Sequence, residues 1–490
     1  MKAWTSRGKV VLAAHAGAGR AESLMLICVL IAAALMLNGC ALKRAREAKN
    51  PSKIPPGERT VTAAEAGLGA ETVLTVDQAV ELALKYHPAV AQARQNLFIA
   101  DKQYHNAIAG YLPLLKASAG YSRQTANTSA AISTPTVGPG GAVVSGPARV
   151  PTPNNESHDA WSAGLSADQL LLDFGKVPFA IRQAAAQKRA AEETLRQTEN
   201  DLTLQIQLAY YQVSKNLELL KVSEDTVKQY QLHLEQAKAL VEVGRKIKND
   251  VTKAEVDMGN AQLNLISARN SITTARATLN SSLGLAEEPG YQVVEPAAEP
   301  VQPDFKALSA TAKENDPQLL ALKDQEIAAA AGVNGAIAGL FPTLSLGGGY
   351  SWAGTKFPLV WNWSVGPSLG WNLFDGFRNL RQIDIATAQL HSAYAQYASR
   401  EQQIYLNLSQ SLAQLQDAGE RLTLVDLIVE QAQEGLDLTN ELYKVGRATA
   451  VEMADAEVSV TTARSNQVQA RFDYLTAVAQ IEHAIGGKKP

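Results

Sequence analysis

Two hydrophobic periods run through this chain, and each is used twice. Between Lys176 and Glu242 no proline follows Pro178. Along that stretch side chains recur at alternating steps of four and three: Leu202, Ile206, Ala209, Val213, Asn216, Leu220, Ser223, Val227, Tyr230, Leu234, Ala237 and Val241. Ten of these twelve are apolar. Shifted by 202, the same register reads Ile404, Leu408, Ser411, Leu415, Ala418, Leu422, Val425, Val429, Ala432, Leu436, Thr439 and Tyr443, again ten of twelve. So long a 4-3 seam predicts a coiled-coil helix. At 1.5 Å per residue the first would be about 100 Å long. Its return partner, Asp250 to Leu283, has 34 residues, and the helical stretch from Thr75 to Gly110 has 36. Stacked end to end, the two would line one long helix. Thr75-Val76-Asp77-Gln78 has the form of an N-terminal cap, and His87-Pro88 interrupts the helix that follows it.

The second period is two. Leu115, Ala117, Ala119 and Tyr121 alternate with Lys116, Ser118, Gly120 and Ser122, and alternation returns at Trp161, Ala163, Leu165 and Ala167. Later, Leu344, Leu346, Gly348, Tyr350 and Trp352 alternate with small polar residues. So do Trp361, Trp363, Val365, Pro367, Leu369, Trp371 and Leu373. A half-buried soluble sheet shows such alternation too. An apolar face with tryptophan near both ends, opposite a Ser/Asn/Gly face, is the demand of a transmembrane β-barrel, with lipid outside and water inside. Leu344–Trp352 and Trp363–Leu373 have the length of a tilted spanning strand. Thr125 to Asp159, rich in Ser, Thr, Pro, Gly and Asn, reads as a loop. Gly347-Gly348-Gly349 lies inside a strand pattern and lacks the Lys-Ser/Thr of a phosphate-binding loop.

The recurrence extends to landmarks. Gly110-Tyr111-Leu112-Pro113 returns as Gly339-Leu340-Phe341-Pro342, and His87-Pro88 as Asp316-Pro317, at an offset of 229. Asp173 returns as Asp375, Val243-Gly244-Arg245 as Val445-Gly446-Arg447, Ala254-Glu255-Val256 as Ala456-Glu457-Val458, and Leu283-Gly284 as Ile485-Gly486, at an offset of 202. The difference, 229 − 202 = 27 residues, is an insertion in the first copy between Pro113 and Asp173. One structural unit was duplicated. The expected organisation is a signal peptide (1–39), an N-terminal tether (40–72), a first repeat (73–290), a linker (291–304), a second repeat (305–486) and a short tail (487–490). Gly244 and Gly446 mark tight turns at the far end of each helical hairpin.

Composition narrows the class. Aromatics make up 6% of the 490 residues, so long helices with narrow seams fit better than several bulky cores. A net charge of −3 shows no nucleic-acid footprint. Both cysteines, Cys28 and Cys40, lie near the N-terminus. Arg7, Lys9 and Arg20 precede an apolar run from Leu24 to Leu37, which ends in Leu37-Asn38-Gly39-Cys40. The run is short for a membrane span and suits an export signal. Its ending resembles a bacterial lipobox, which would make Cys40 the acylated first residue of the mature chain. A signal anchor with a chance cysteine is the other reading. Removing residues 1–39 takes away four basic side chains and one acidic, leaving −3 − 3 = −6.

A lipobox, two copies of helix, two strands, long helix, turn and helix, and the paired Val-Gly turns together resemble the TolC-type outer-membrane efflux proteins. The resemblance covers about Thr75 to Gly486. It implies a mainly α fold with a membrane β-barrel: a homotrimer in which four strands per chain build one twelve-stranded barrel and the helical hairpins build a hollow periplasmic α-barrel. It implies an outer-membrane location, a channel function in tripartite efflux or type I secretion, a periplasmic membrane-fusion adaptor and an inner-membrane pump as partners, and no cofactor beyond the lipid on Cys40. On this resemblance Val243, Gly244, Arg245, Val445, Gly446 and Arg447 are the adaptor-docking turns. Glu452 and Asp455, three apart and so on one helix face, form a carboxylate ring at the closed end. Asp250 and Tyr443 help hold neighbouring hairpins together, and the position of a latch arginine is Ala448. From the residues alone, the same charges also fit a solvated helix end.

Four strands cannot close a barrel, and lipid does not tolerate open edges, so physics also asks for more than one copy. No enzymatic signature appears. The seven histidines never fall within a metal-ligand spacing of one another. The rival reading is a periplasmic adaptor or a structural coiled-coil lipoprotein, which the duplicated hairpins and tryptophan-flanked strands oppose.

Overall fold

The computed structural model describes residues 43, 49, 55, 58–59, 61–69, 72–125, 128–137, 143–152, 157–287, 289–297 and 304–487. Cys40 and the expected signal peptide lie outside the described residues. The first repeat comprises β1 (Val73–Leu74), α1 (Val76–Tyr86), α2 (Pro88–Ile108), β2 (Leu114–Thr125), β3 (Thr128–Val137), β4 (Val143–Thr152), β5 (Ser157–Leu172), the long helix α3 (Lys176–Glu242) and the return helix α4 (Lys248–Ser282). After β6 (Gln292–Val293), the second repeat runs α5 (Phe305–Asn315), α6 (Pro317–Ala338), β7 (Thr343–Gly354), β8 (Val360–Gly370), the long helix α7 (Arg378–Lys444) and α8 (Ala450–Ala484).

The 4-3 seams are the cores of the hairpins. No seam position of either long helix is exposed. Ile206, Val213, Leu408 and Tyr443 are fully buried, against α4 in the first hairpin and α8 in the second. Each fully buried Leu or Ile contributes about 1.5–3 kcal/mol, which adds to the good local helix preference of stretches rich in Ala, Leu and Gln.

Short helices stack as their summed length requires. At the first junction His87 caps α2, its Nδ1 accepting from the Ala89 N–H at 3.1 Å, with Pro88 in the first turn. At the second, Asp316 caps α6 by accepting from the Leu319 N–H at 2.6 Å, and Arg400 of α7 pairs with the same carboxylate at 2.6 Å. The return helices end on these junctions. A Cβ on Gly486, which has φ of +85°, would lie 2.5 Å from the Asn315 carbonyl oxygen, so only glycine permits this approach.

Strand turns into long helix at two matching corners. Asp173 accepts the N–H groups of Gly175 and Val177 at 3.1 and 2.5 Å, and Asp375 accepts that of Asn379 at 3.0 Å. Each corner uses two successive residues of positive φ: Phe174 then Gly175 in the first copy, Gly376 then Phe377 in the second. The order of Phe and Gly is exchanged, yet the path is kept.

The main sheet is antiparallel, in the order β2-β5-β7-β8. Its register gathers apolar residues on one face: Tyr121 opposite Trp161, Ala117 opposite Leu165, Tyr350 opposite Trp363 and Trp352 opposite Trp361. On the other face Ser345 meets Ser368, with 2.8 Å between hydroxyls. Aromatic contacts mark both ends of the apolar face. Tyr121–Trp161 and Tyr350–Trp352 lie at the far end, and Phe174–Phe341 and Phe374–Phe377 lie at the helix end. Trp371 donates there to the Leu340 carbonyl at 3.1 Å. The last strand stops at Gly370, so Trp371 and Leu373 lie past its end rather than within it. Strands β2 and β8 each leave one edge unpaired within the described chain.

Two expectations change. The stretch from Thr125 to Asp159 is not simply a loop: β3 and β4 pair along ten residues each, lengthening the β2–β5 hairpin. No apolar face announces that pairing in the sequence. The end of the expected tether is also part of the body. Val61, Ala66 and Leu68 are buried, Val61 bridges to Leu285, and β1 pairs in parallel with β6, inside the expected linker. The buried Tyr210 hydroxyl locks that clasp to α3, reaching the Leu74 and Val294 carbonyl oxygens at 2.8 and 2.7 Å.

Packing between helices is unequal in the two repeats. Helix α6 lies between α3 and α7 and packs on both, and α8 packs on both α7 and α3. Their counterparts α2 and α4 pack mainly on α3 alone. No described helix is long and apolar enough to cross a membrane.

Candidate functional site

The two long helices end side by side, and their turns form the tip. Both turns have one construction. The N–H of Gly244 bonds the Val241 carbonyl at 3.0 Å, and that of Arg245 bonds Leu240 at 2.9 Å. The N–H of Gly446 bonds Tyr443 at 3.1 Å, and that of Arg447 bonds Leu442 at 2.8 Å. This is a left-handed helix end, and Gly244 and Gly446 have φ of +70° and +79°. A Cβ at either position would meet nothing within 4 Å. Backbone conformation alone calls for glycine. Val243 and Val445 are 68% and 65% exposed, and Arg245 and Arg447 are exposed beside them. Two apolar side chains thus stand at the extreme of the molecule, each followed by a cation.

Glu452 and Asp455 both lie exposed in the first turns of α8. Glu452 is engaged. Its carboxylate accepts from the Thr449 N–H at 2.7 Å and the Thr449 hydroxyl at 3.0 Å, while Thr449 Oγ1 accepts from the Glu452 N–H at 3.2 Å. This reciprocal cap mirrors Thr75 and Gln78 at the start of α1. The backbone N–H of Thr449 is the main cause that holds the Glu452 carboxyl below its ordinary value. The cap was not expected, although Thr449-x-x-Glu452 is legible in the sequence.

Tyr443 is fully buried, its ring 5.2 Å from that of His233 and 4.3 Å from Lys246 Nζ. Its hydroxyl has no hydrogen-bond partner among the described residues. Half-buried Asp250 acts on it through charge, and burial is the larger cause that raises the phenol. Asp250 and Tyr443 are therefore brought together, without a hydrogen bond between them. At the turns the hairpins are tied by Lys246, whose Nζ donates to the Ala448 carbonyl at 2.9 Å. Lys246 and Ala448 stand 202 residues apart, at equivalent places in the two repeats. Position alone could have found this pair, but a search for charge partners overlooks a backbone carbonyl.

Above the tip, α3 and α8 are joined by side chains: Thr226 with Thr461 at 3.3 Å, Lys215 with Gln469 at 3.3 Å, and Asp201 with His483 at 2.7 Å. Glu457 of α8 is buried in this junction, and nothing in the sequence reading singled it out. Among the described residues no group of acids, histidines or cysteines is arranged to hold a metal ion. What the tip offers is an apolar and cationic contact surface with carboxylates beside it.

The sequence model of a family described as outer membrane efflux protein matches residues 79–285 and 308–487. The chain is 26% identical over 349 residues to outer membrane protein TolC of Vibrio cholerae serotype O1, covering 67% of this chain and 77% of that protein. It is 25% identical over 339 residues to outer membrane efflux protein BepC of Brucella suis, covering 68% and 74%. Among solved structures it is similar to a membrane protein from Pseudomonas aeruginosa, with TM-score 0.71 and 21% identity over 84% of this chain and 93% of that one. The matched segments omit the clasp and linker between the repeats and take in both hairpins and both strand pairs.

Proposed function

Because the chain belongs to the outer membrane efflux protein family, we propose that it is the outer-membrane channel of a tripartite efflux or type I secretion assembly, working as a homotrimer. The observation that carries the trimer is the unequal packing. Helices α2 and α4 lack the second long helix that α6 and α8 have. A neighbouring α7 supplies it. The outer face of α7 exposes Leu424, Leu427, Ile428 and Leu438, and α4 exposes Val256, Leu263 and Ile266. Joined head to tail, copies bury these stripes and form a ring. The same rotation brings β8 of one chain beside β2 of the next. Three copies make a twelve-stranded barrel with its aromatic-bordered face in lipid.

The tip then faces the periplasm. Val243, Gly244, Arg245, Val445, Gly446 and Arg447 present a docking surface for a membrane-fusion adaptor, which couples the channel to an inner-membrane pump. Glu452 and Asp455 surround the inner mouth, and Asp250 and the buried Tyr443 help hold the hairpins together beside it. Acylation at Cys40 adds an anchor to the lipid-facing strands. Cargo is passed along; no catalytic step is required.

Purified protein should have trimer mass in mild detergent and conduct ions in planar bilayers. Leu263→Asp places charge in the proposed interface and should yield monomers without conductance. A wild-type monomer, or a channel assembled equally well from Leu263→Asp, would overturn the ring. Fatty-acid labelling of cells should mark wild type and leave Cys40→Ala unlabelled. Equal label in both would remove the lipid anchor.

A further inference from the structure

A buried acid sits where the two hairpins meet. Glu457 lies on α8, seven residues past the helix start at Ala450, about 10 Å along the helix. It is 1% exposed. Neither carboxylate oxygen has a hydrogen-bond partner among the described residues. Tyr230 of α3, Asp257 of α4 and Tyr443 of α7 are the titratable groups that interact with it. The Tyr443 hydroxyl, and Nδ1 of His233 whose ring lies 5.2 Å from that of Tyr443, also lack partners among the described residues. Glu255, the counterpart of Glu457 in the first repeat, is exposed and lies 3.9 Å from Lys238. Burial of this glutamate is therefore peculiar to the junction between hairpins and is not demanded by the repeat.

An acid in such a place is held in its neutral form, because an unpaired buried charge is far more costly than a neutral carboxyl. Packing α8 against α3 and α4 keeps a proton on Glu457. Parting the hairpins admits water and releases it. We propose that Glu457 is a proton-controlled catch between the two hairpins: neutral, it lets them close near their turns; ionised, it drives them apart and loosens the inner end of the channel. This use of the junction rests on the channel reading above.

Burial, aided by the charge on Asp257, raises the Glu457 carboxyl from 4.5 to about 8. Parted hairpins ionise it near the lower value and packed hairpins near the upper. Closure therefore weakens as pH rises between the two, and the whole penalty is present above the upper one. His233 acts in the opposite sense. Burial lowers its imidazole from 6.5, against the pull of Asp257 and Asp250 and with the push of Lys253 and Lys246. Its contribution to closure is intact above 6.5 and is lost as pH falls further. Tyr230 is pushed up to about 12, chiefly by burial, and stays neutral throughout. Above about pH 6.5 Glu457 is left as the group that changes.

Spin labels on Val243→Cys and Val445→Cys, both at exposed turn positions, read the separation of the turns in the detergent trimer without relying on conductance. From about pH 6.5 to about pH 8.5 the ratio of parted to closed hairpins should rise about 25-fold in the otherwise wild-type chain. In Glu457→Gln it should stay flat. Asp257→Asn, which removes the nearby charge, should keep the rise and move its midpoint to lower pH. Open probability in planar bilayers should follow the same curve. A flat wild-type distance distribution, or an equal rise in Glu457→Gln, would overturn the catch. Loss of conductance at every pH, with the distance response preserved, would instead count against the channel reading and support the catch.

Discussion

Glu452 serves the start of α8 whether or not it also faces a pore. Its carboxylate takes both donors of Thr449, and its lowered pKa has a definite sign for stability. The cap is present above the ordinary value of 4.5 and is lost as pH falls through the depressed one. At neutral pH it is intact and charged. Glutamine makes the same reciprocal cap at Thr75, so Glu452→Gln should leave the helix start in place. The double change Glu452→Gln, Asp455→Asn therefore isolates charge from structure. In a ring of three it removes six carboxylates, and the cation-to-anion permeability ratio should fall by about twofold or more. Reversal potentials in a salt gradient measure this. Unchanged potentials would place both side chains on the outer wall. Glu457 shows where residue-scale reading stops. Ala-Glu-Val occurs in both repeats, and the sequence gives no sign that one glutamate is exposed and the other buried. That difference arises from how α8 lies across α3 and α4, a tertiary fact absent from either local pattern.

At the scale of elements, the turns are the clearest test. Space around Gly446 is open, so a larger side chain meets no clash there. The cost is conformational: a left-handed residue with a Cβ is disfavoured by about 1–2 kcal/mol, and a β-branched one by more. Gly446→Val should deform the tip and lower export of a reporter substrate severalfold while trimer and membrane levels stay normal. Full export from the Gly244→Val, Gly446→Val double variant would detach docking from these turns. The long helices were legible because a 4-3 pattern over 67 residues has few alternative explanations. The main strands were legible because lipid and water impose opposite demands on alternate residues. The hairpin of β3 and β4 was hidden by its proline, glycine and serine. The clasp of β1 and β6 was hidden because two-residue strands leave no period to detect. Lys246 and Ala448 were hidden because the bond uses a backbone atom.

For the molecule as a whole, duplication was the most legible property and closure the least. Offsets of 229 and 202 fix the order of the elements and locate the insertion. They say nothing of which helix lies beside which. That information resides in α3, which serves both repeats, while α7 serves only the second within one chain. The two halves of the duplication consequently have unequal histories. Helix α6 is braced on both sides as soon as its own chain folds. Helix α2, with Phe98 and Ile99 exposed, keeps one flank wet in the single chain, and in the proposed ring only a neighbour covers it. If copies assemble as proposed, a newly made chain carries a mark of its own immaturity, written on the first repeat and erased by assembly, so that a solitary copy and an assembled one would differ in what they show to the proteases and chaperones of the envelope.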